Sequence, residues 1–419
     1  MKRRAGLLAL GLLLAAAPCP RAHDDEEPAY GRTPKEARPY GKWDVKPYQL
    51  FFTTQPVYRG PGREEPEPEG LKSVKLGLFT PVEGPSDDAE AGRNTAYGIN
   101  LALEEANAAG GYKGLPFELV VKNDLLLWGT SSKVTVELAY RDKVWAVLGS
   151  IDSNSTHVAI RMALKIHIPF VNVGANSPDL TETNIPWLIR CNPDDRQTGY
   201  VLARHVFKEK GFSRVAALRS ADRYGRTGIG EFRDAARRLG RPLALEILLD
   251  PGERDFTAQL DRVEASDVQA VVVWTKARQA GRLVRQLRGR GIKLPVFGAD
   301  RLVTPAFLEE AGEAAEGVTA TYWLDLERKD FAWTSFQKRF RKRFGKDPDE
   351  FAAYGYDAAN LVLLAIRRGG LNRFRIREVL YAVPSYAGVS GTMVFDPTLN
   401  NVTPPVLTRV KGGRFVFHP

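Results

Sequence analysis

Ser150, Ser153, Asn154, Ser155 and Thr156 crowd into one short turn, SIDSNST, between an apolar strand, VWAVLG, and a helix with Val158, Met162 and Ile166 on its apolar side. Hydroxyls and amides at a helix N-terminus can do two things. They cap the helix, because Ser and Asn accept hydrogen bonds from its first free N–H groups. They also help to hold a carboxylate or another anion, because those N–H groups lack partners and the helix dipole is positive there. The turn by itself does not separate the two uses. A second strand and polar turn, PFVNVGANSPDLT (169–181), follows at once. Consecutive strands of a parallel sheet bring such turns side by side at the carboxyl edge, where open α/β folds bind ligands.

Chemistry that converts a ligand is harder to find. The five histidines, His23, His157, His167, His205 and His418, form no zinc-ligand spacing, and no nucleophile elbow, P-loop or GxGxxG motif occurs. Ser153 and His157 are four residues apart and would be neighbours at a helix start. Nothing near them would orient His157 as a base, so a hydrolase is the weakest reading. We expect no enzyme, no metal and no cofactor. Groups of this kind bind a small molecule without converting it.

The elements that must position these groups are legible from the hydrophobic pattern. The chain of 419 residues is too long for one ordinary core and suggests two domains. Residues 1–22 read as a secretory signal, with Lys2-Arg3-Arg4 ahead of an apolar run from Ala5 to Ala17 that is too short for a membrane span. Pro18 argues against a lipid anchor at Cys19. Removal of the signal would leave Cys191 alone, without an intramolecular disulfide. The formal charge of +10 raises a nucleic-acid partner. The basic residues are dispersed, however, and the densest run, KRFRKRFGK (338–346), shares a helix with Phe336, Phe340 and Phe344 on its apolar side. A solvated helix face in an exported protein, without nucleic acid, is the expectation. Residues 23–72 are rich in Pro, Gly and charge and read as an N-terminal arm, part of which could pack on the body through its aromatic residues.

From Val74, short apolar strands alternate with helices. The pattern runs to about Asn192 and then starts again with RVAALRS, LALEILL, VQAVVVW and PVFGAD. Such alternation means parallel sheets built from βαβ units, and two successive sets mean two doubly wound α/β lobes. The turns LGSIDSNST and GANSPDLT, followed by RSADRYGRTG, LDPGERDFTAQL, FGADR and YGYDAA, resemble in their order and spacing the type I periplasmic binding proteins, in particular the leucine/isoleucine/valine-binding branch. The resemblance covers about residues 73–419. It implies a ligand cleft between the lobes, with lobe 1 formed by 73–193 plus 324–396, lobe 2 by 194–323 plus 397–419, and crossovers near 191–195, 321–326 and 394–398.

Carried over position by position, the resemblance implies that Ser153 accepts a ligand carboxylate with help from the backbone at Asn154. Gly174, Ala175 and Asn176 form the second turn's contacts, Tyr224 closes over the ligand, and Asp300 pairs with its ammonium. Several positions depart from the family pattern. Trp274, Thr275 and Lys276 stand where a small or aromatic contact is usual, Arg301 follows Asp300, and the turn after the second strand is apolar with Trp128. Trp128 and Trp274 suggest a ligand larger or flatter than valine. Lys276 and Arg301 could pair with a second acidic group, or Lys276 could simply reach solvent. The reading is a periplasmic solute receptor of an ABC importer that binds an amino acid or similar small carboxylate, closes by hinge motion and docks on a permease in the inner membrane. A sensory or accessory binding protein of the same fold, not coupled to a permease, is the alternative, with the aromatic arm as its motive.

Overall fold

The computed structural model describes residues 56–417. Residues 1–22, expected to be a secretory signal, with Cys19, and the expected arm up to residue 55 lie outside the described residues. The first lobe starts with β1 (Val74–Phe79), α1 (Asp87–Ala108), β2 (Phe117–Lys122), α2 (Trp128–Tyr140), β3 (Val147–Gly149), α3 (Ser153–Ile166), β4 (Phe170–Asn172), α4 (Asp179–Glu182) and β5 (Leu188–Pro193). The chain then crosses into the second lobe. There it forms α5 (Asp195–Ala203), β6 (Val215–Ser220), α6 (Arg223–Arg238), β7 (Leu245–Leu249), α7 (Thr257–Glu264), β8 (Ala270–Trp274), α8 (Ala277–Gly289), β9 (Val296–Gly298), α9 (Pro305–Ala311) and β10 (Thr319–Tyr322). It returns through α10 (Phe331–Phe344), α11 (Glu350–Gly369), α12 (Arg373–Ala382), the hairpin β11 (Ser385–Gly388) and β12 (Gly391–Val394), and β13 (Asn400–Asn401). The last hairpin, β14 (Val406–Lys411) and β15 (Arg414–Phe417), closes the second lobe.

The first sheet has the order β13-β5-β4-β3-β1-β2 and the second β15-β14-β10-β9-β8-β6-β7. The first is parallel throughout. The second is parallel apart from the antiparallel edge hairpin. Helices cover both faces, so central strands read as unbroken apolar runs. All of AVVVW in β8 is buried for that reason. α1 and α11 lie across the first lobe in close approach. A Cβ at Gly98 would come within 2.0 Å of the Ala352 carbonyl oxygen, so only glycine lets the two backbones meet there. On α10, Phe336 and Phe340 are buried while Arg341 and Lys342 face solvent, and Arg343 pairs with Glu104 of α1 at 2.9 Å.

The third crossover differs from the expectation of 394–398. β13 pairs with β5, so the chain stays in the first lobe to Asn401 and leaves it before Val406. A two-residue strand of asparagines carries no hydrophobic alternation to announce it. Side-chain hydrogen bonds hold it instead. The buried Arg190 donates to Asn400 Oδ1 at 2.7 Å, to the Ser177 carbonyl at 2.6 Å and to Thr181 Oγ1 at 2.9 Å, while Asn400 Nδ2 donates to Asp194 Oδ2 at 3.0 Å. Residues of the arm from Pro56 onward pack on the first lobe. Tyr58 sits 5.0 Å from Trp187, 5.2 Å from His167 and 5.5 Å from Phe374 between ring centroids.

Candidate ligand site between the lobes

At the carboxyl edge of the first sheet, β3 and β4 run into the two polar turns. Asp152, not a serine, caps α3, accepting from Ser155 N at 2.7 Å. Thr156 Oγ1 accepts from Ser150 N at 3.2 Å. Ser153 is thereby released from capping and opens the helix. Its Oγ accepts from Ser177 N at 3.2 Å and ties the first turn to the second. No hydrogen bond joins it to His157, whose Nδ1 is buried without a partner, so the hydrolase pair does not form. In the second turn, Gly174 lies against Ile151, where a Cβ would stand 3.0 Å from its Cα. The Ala175 carbonyl accepts from Asn192 Nδ2 at 3.2 Å. Asn176 is 3% exposed, and its Nδ2 has no hydrogen-bond partner.

The second lobe supplies the facing wall. Asp222 caps α6, accepting from Gly225 N at 3.0 Å, and sends Arg223 and Tyr224 toward the first lobe. Tyr224 donates to Asp300 Oδ1 at 3.0 Å. Arg301 follows in the same loop. Its guanidinium lies 5.0 Å from the Phe351 ring centroid and 5.8 Å from that of Tyr224, donates to the Ile151 carbonyl at 3.1 Å, and stands 3.6 Å from Asp88 and 3.5 Å from Asp300 Oδ2. Lys276, at the start of α8, reaches Asp88 Oδ2 at 2.6 Å. Arg278 meets Asp87 at 3.4 Å, and Arg223 pairs with Asp179 and donates to Asn154 Oδ1 at 3.4 Å. In each of these ion pairs across the seam the cation belongs to the second lobe and the acid to the first.

Burial works against the Asp88 carboxylate, but Lys276 and Arg301 outweigh it and hold its pKa below the ordinary value. Burial likewise opposes the charge on Arg301, and Asp88 and Asp300 outweigh it. Burial dominates at Asp300 and raises its pKa despite the neighbouring Arg301. A cavity of about 50 Å³ lies where the two walls meet, lined by Ser153, Asn154 and Asn176 on one side and Arg223, Tyr224, Lys276 and Arg301 on the other, with Asp88 at its edge. Further cavities of about 560 and 250 Å³ continue along the same seam. A larger hollow, about 1020 Å³, is framed by the arm and the start of α12 on the first lobe and includes neither turn. It lies apart from the carboxyl edges of the two sheets, on the first lobe alone. Among the described residues no group of His, Cys, Asp and Glu could hold a metal ion.

Of the nine candidate residues, the fold brings Ser153, Asn154, Asn176, Tyr224 and Lys276 to the cavity. Gly174 and Ala175 shape the second turn from behind. Asp300 is 1% exposed and stands behind Tyr224 and Arg301. Trp274 is wholly buried in the core of the second lobe, its ring filling the space beside Gly228. Trp128 is 64% exposed at the first turn of α2. Neither tryptophan touches the cavity, so they give no support to a large, flat ligand. Strand alternation explains Trp274, since at the end of a doubly covered strand either face is core. Asp88 is a site residue that the sequence reading misses, and it lies in the first turn of α1. The helix begins at Asp87, capped by Ser86 Oγ accepting from Ala89 N at 3.2 Å, and Ser followed by three acids in the next four residues is the signature that marks this start.

Comparison with known proteins agrees with this architecture. The family model described as periplasmic binding protein matches residues 73–414. Leu/Ile/Val-binding protein homolog 1 of Brucella abortus (strain 2308) is 28% identical over 303 residues, 71% of this chain and 79% of the relative. The amino acid binding protein of Pseudomonas aeruginosa is 29% identical over 296 residues, 70% of this chain and 78% of its own length. Among solved structures, the branched-chain amino acid transporter substrate binding protein LivJ from Streptococcus pneumoniae, in complex with isoleucine, superposes with a TM-score of 0.76 at 26% identity, covering 82% of this chain and 98% of that one. With two doubly wound lobes, a polar seam between their carboxyl edges and a family match along nearly the whole described chain, this protein belongs to the periplasmic binding protein family.

Proposed function

We propose that this chain is the extracytoplasmic solute-binding protein of an ABC-type importer, taking up an amino acid or a similar small carboxylate between its lobes. The observation that carries this reading is the convergence at one cavity of Ser153 and Asn176 from the first sheet's turns with Tyr224, Lys276 and Arg301 from the second lobe. Names of the relatives support it, since one is a Leu/Ile/Val-binding protein homolog, another an amino acid binding protein, and one solved structure is in complex with isoleucine. Ser153, Asn154 and the α3 N-terminus would receive the carboxylate, with Gly174 and Ala175 holding the second turn in place. Tyr224 and Lys276 would approach from the other side as the lobes close about their crossovers. Asp300 would act through Tyr224 rather than touch the ligand, and Trp274 would support the wall from the core.

Export through the segment 1–22 and docking on an inner-membrane permease complete the reading. Among the described residues no helix is long and apolar enough to cross a membrane. The aromatic arm gives little support to a sensory role, because Tyr58 is accounted for by packing on Trp187 and Phe374. Thermal shift and calorimetry across amino acids, keto acids and other small carboxylates test the proposal. A ligand present at a hundred times its Kd should stabilise the native state by about 2.7 kcal/mol. If no compound in such a panel raises the melting temperature, the reading fails.

A further inference from the structure

Every carboxylate that lines the cavity is already engaged. Asp152 caps α3 through Ser155 N, and Asp222 caps α6 through Gly225 N while accepting from Ser220 Oγ at 2.6 Å. Asp88 is paired with Lys276 and lies within reach of Arg301. Asp300, buried behind this wall, spends Oδ1 on Tyr224, and its Oδ2 accepts no hydrogen bond but faces the guanidinium of Arg301 at 3.5 Å. The one main-chain acceptor turned to Arg301, the Ile151 carbonyl, takes its donation at 3.1 Å. The guanidinium thus has the surroundings that a ligand ammonium would seek: an acid, a carbonyl and the faces of two aromatic rings.

Among the side chains that line the cavity, the buried atom without a partner is a donor. Asn176 Nδ2 is buried with no acceptor and borders the cavity. The N-terminus of α3 points there, and Lys276 and Arg301 stand on the opposite wall. A cationic group entering this space would meet Arg223, Lys276 and Arg301 and displace an existing ion pair. An anion would meet an amide, a helix N-terminus and the cations Arg223, Lys276 and Arg301, while Asp88, Asp152 and Asp222, the acids of the lining, are already paired or capping. Resting on the solute-binding reading above, we infer that the ligand is a carboxylate that bears no ammonium group, with Arg301 serving as a built-in counter-cation in its place.

Matched pairs isolate the ammonium. Binding of pyruvate and alanine, 4-methyl-2-oxopentanoate and leucine, phenylpyruvate and phenylalanine, and 2-oxoglutarate and glutamate would be measured by calorimetry on the full mature chain. In every pair that shows binding, the keto acid should bind at least tenfold tighter than the amino acid. Tighter binding of an amino acid than of its keto partner overturns this inference and leaves the solute-binding reading intact. No binding by either member of any pair overturns both. Arg301→Met gives a second readout, since it releases Asp300 Oδ2 and should move the keto-to-amino preference at least tenfold toward the amino acid. An unchanged ratio in a folded variant also counts against the inference. Should that variant not fold, the pairs on the native chain decide alone.

Discussion

Lys276 Nζ lies 2.6 Å from Asp88 Oδ2, and this contact joins the second lobe to the first directly across the cleft. Lys276 is about half exposed, with its side chain at 49%, so the pair is partly screened by water. We expect Asp88→Asn or Lys276→Met to weaken closure by about 0.5–1 kcal/mol, roughly two- to fivefold in the open-to-closed ratio. Single-molecule energy transfer between dyes on the two lobes reads that ratio. The double variant should cost no more than either single change. A ratio unmoved by both substitutions and by 1 M salt would show that the pair does not contribute to closure.

Ser153 and Asn176 should respond differently to truncation. Ser153 Oγ accepts from the buried Ser177 N–H, so Ser153→Ala should lower both ligand affinity and stability, the latter by about 1–3 kcal/mol. Asn176 Nδ2 has no partner in the fold. Asn176→Ala should therefore lower affinity about tenfold or more with a much smaller change in denaturation midpoint. Equal losses of stability in the two variants would contradict this division of roles.

Trp274 belongs to the core and not to the ligand wall. Trp274→Phe should cost about 1–3 kcal/mol of stability and leave affinity within twofold. Gly228→Ala should do similar damage from the other side, because its Cβ would stand 2.0 Å from the indole ring, and overpacking of that kind costs about 1–3 kcal/mol. Urea denaturation beside calorimetry separates the two effects, and a large loss of affinity for Trp274→Phe would return the residue to the site.

Tyr58 anchors the arm. It packs among His167, Trp187 and Phe374, with Arg377 5.9 Å from its ring centroid. Tyr58→Ala should destabilise the protein by about 2–4 kcal/mol without altering ligand affinity. A melting temperature equal to that of the native chain would mean that the arm is held by other contacts.

Asp396 supplies a pH test. Burial pushes its pKa up to about 6, against the hydrogen bonds from Thr398 and Asn400 that favour its charge. The fold therefore holds the proton more tightly than the unfolded chain does, whose carboxyl titrates near 3.8. The stability linked to this group is fully present below about pH 4 and is lost as pH rises through about 6, a change on the order of 2–3 kcal/mol. Asp396→Asn should remove that slope, since the amide keeps an oxygen for Thr398 N at 2.8 Å and Asn400 N at 3.1 Å. Chemical denaturation of both proteins between pH 4 and 7 gives the comparison. Identical slopes would show that Asp396 titrates alike in folded and unfolded chains.

Alternating apolar strands and amphipathic helices prescribed the two doubly wound lobes, because burial on both sheet faces writes itself into the chain as period and length. The same local logic placed Ser153, Asn176 and Tyr224 at turns that follow strands, and the sheet topology then delivers such turns to one edge. Other features depended on distant partners. β13 has no pattern of its own and exists because Arg190 and Asp194 bind its asparagines. Trp274 could have faced core or cleft from the end of a strand, and the packing of α6 at Gly228 decided for the core. Asp88 and Arg301 lie more than two hundred residues apart in the chain, and neither has a local signature for the other. Only the closing of the lobes sets that carboxylate between Lys276 and Arg301, because electrostatic pairing depends on distance through space, which the order of residues does not encode.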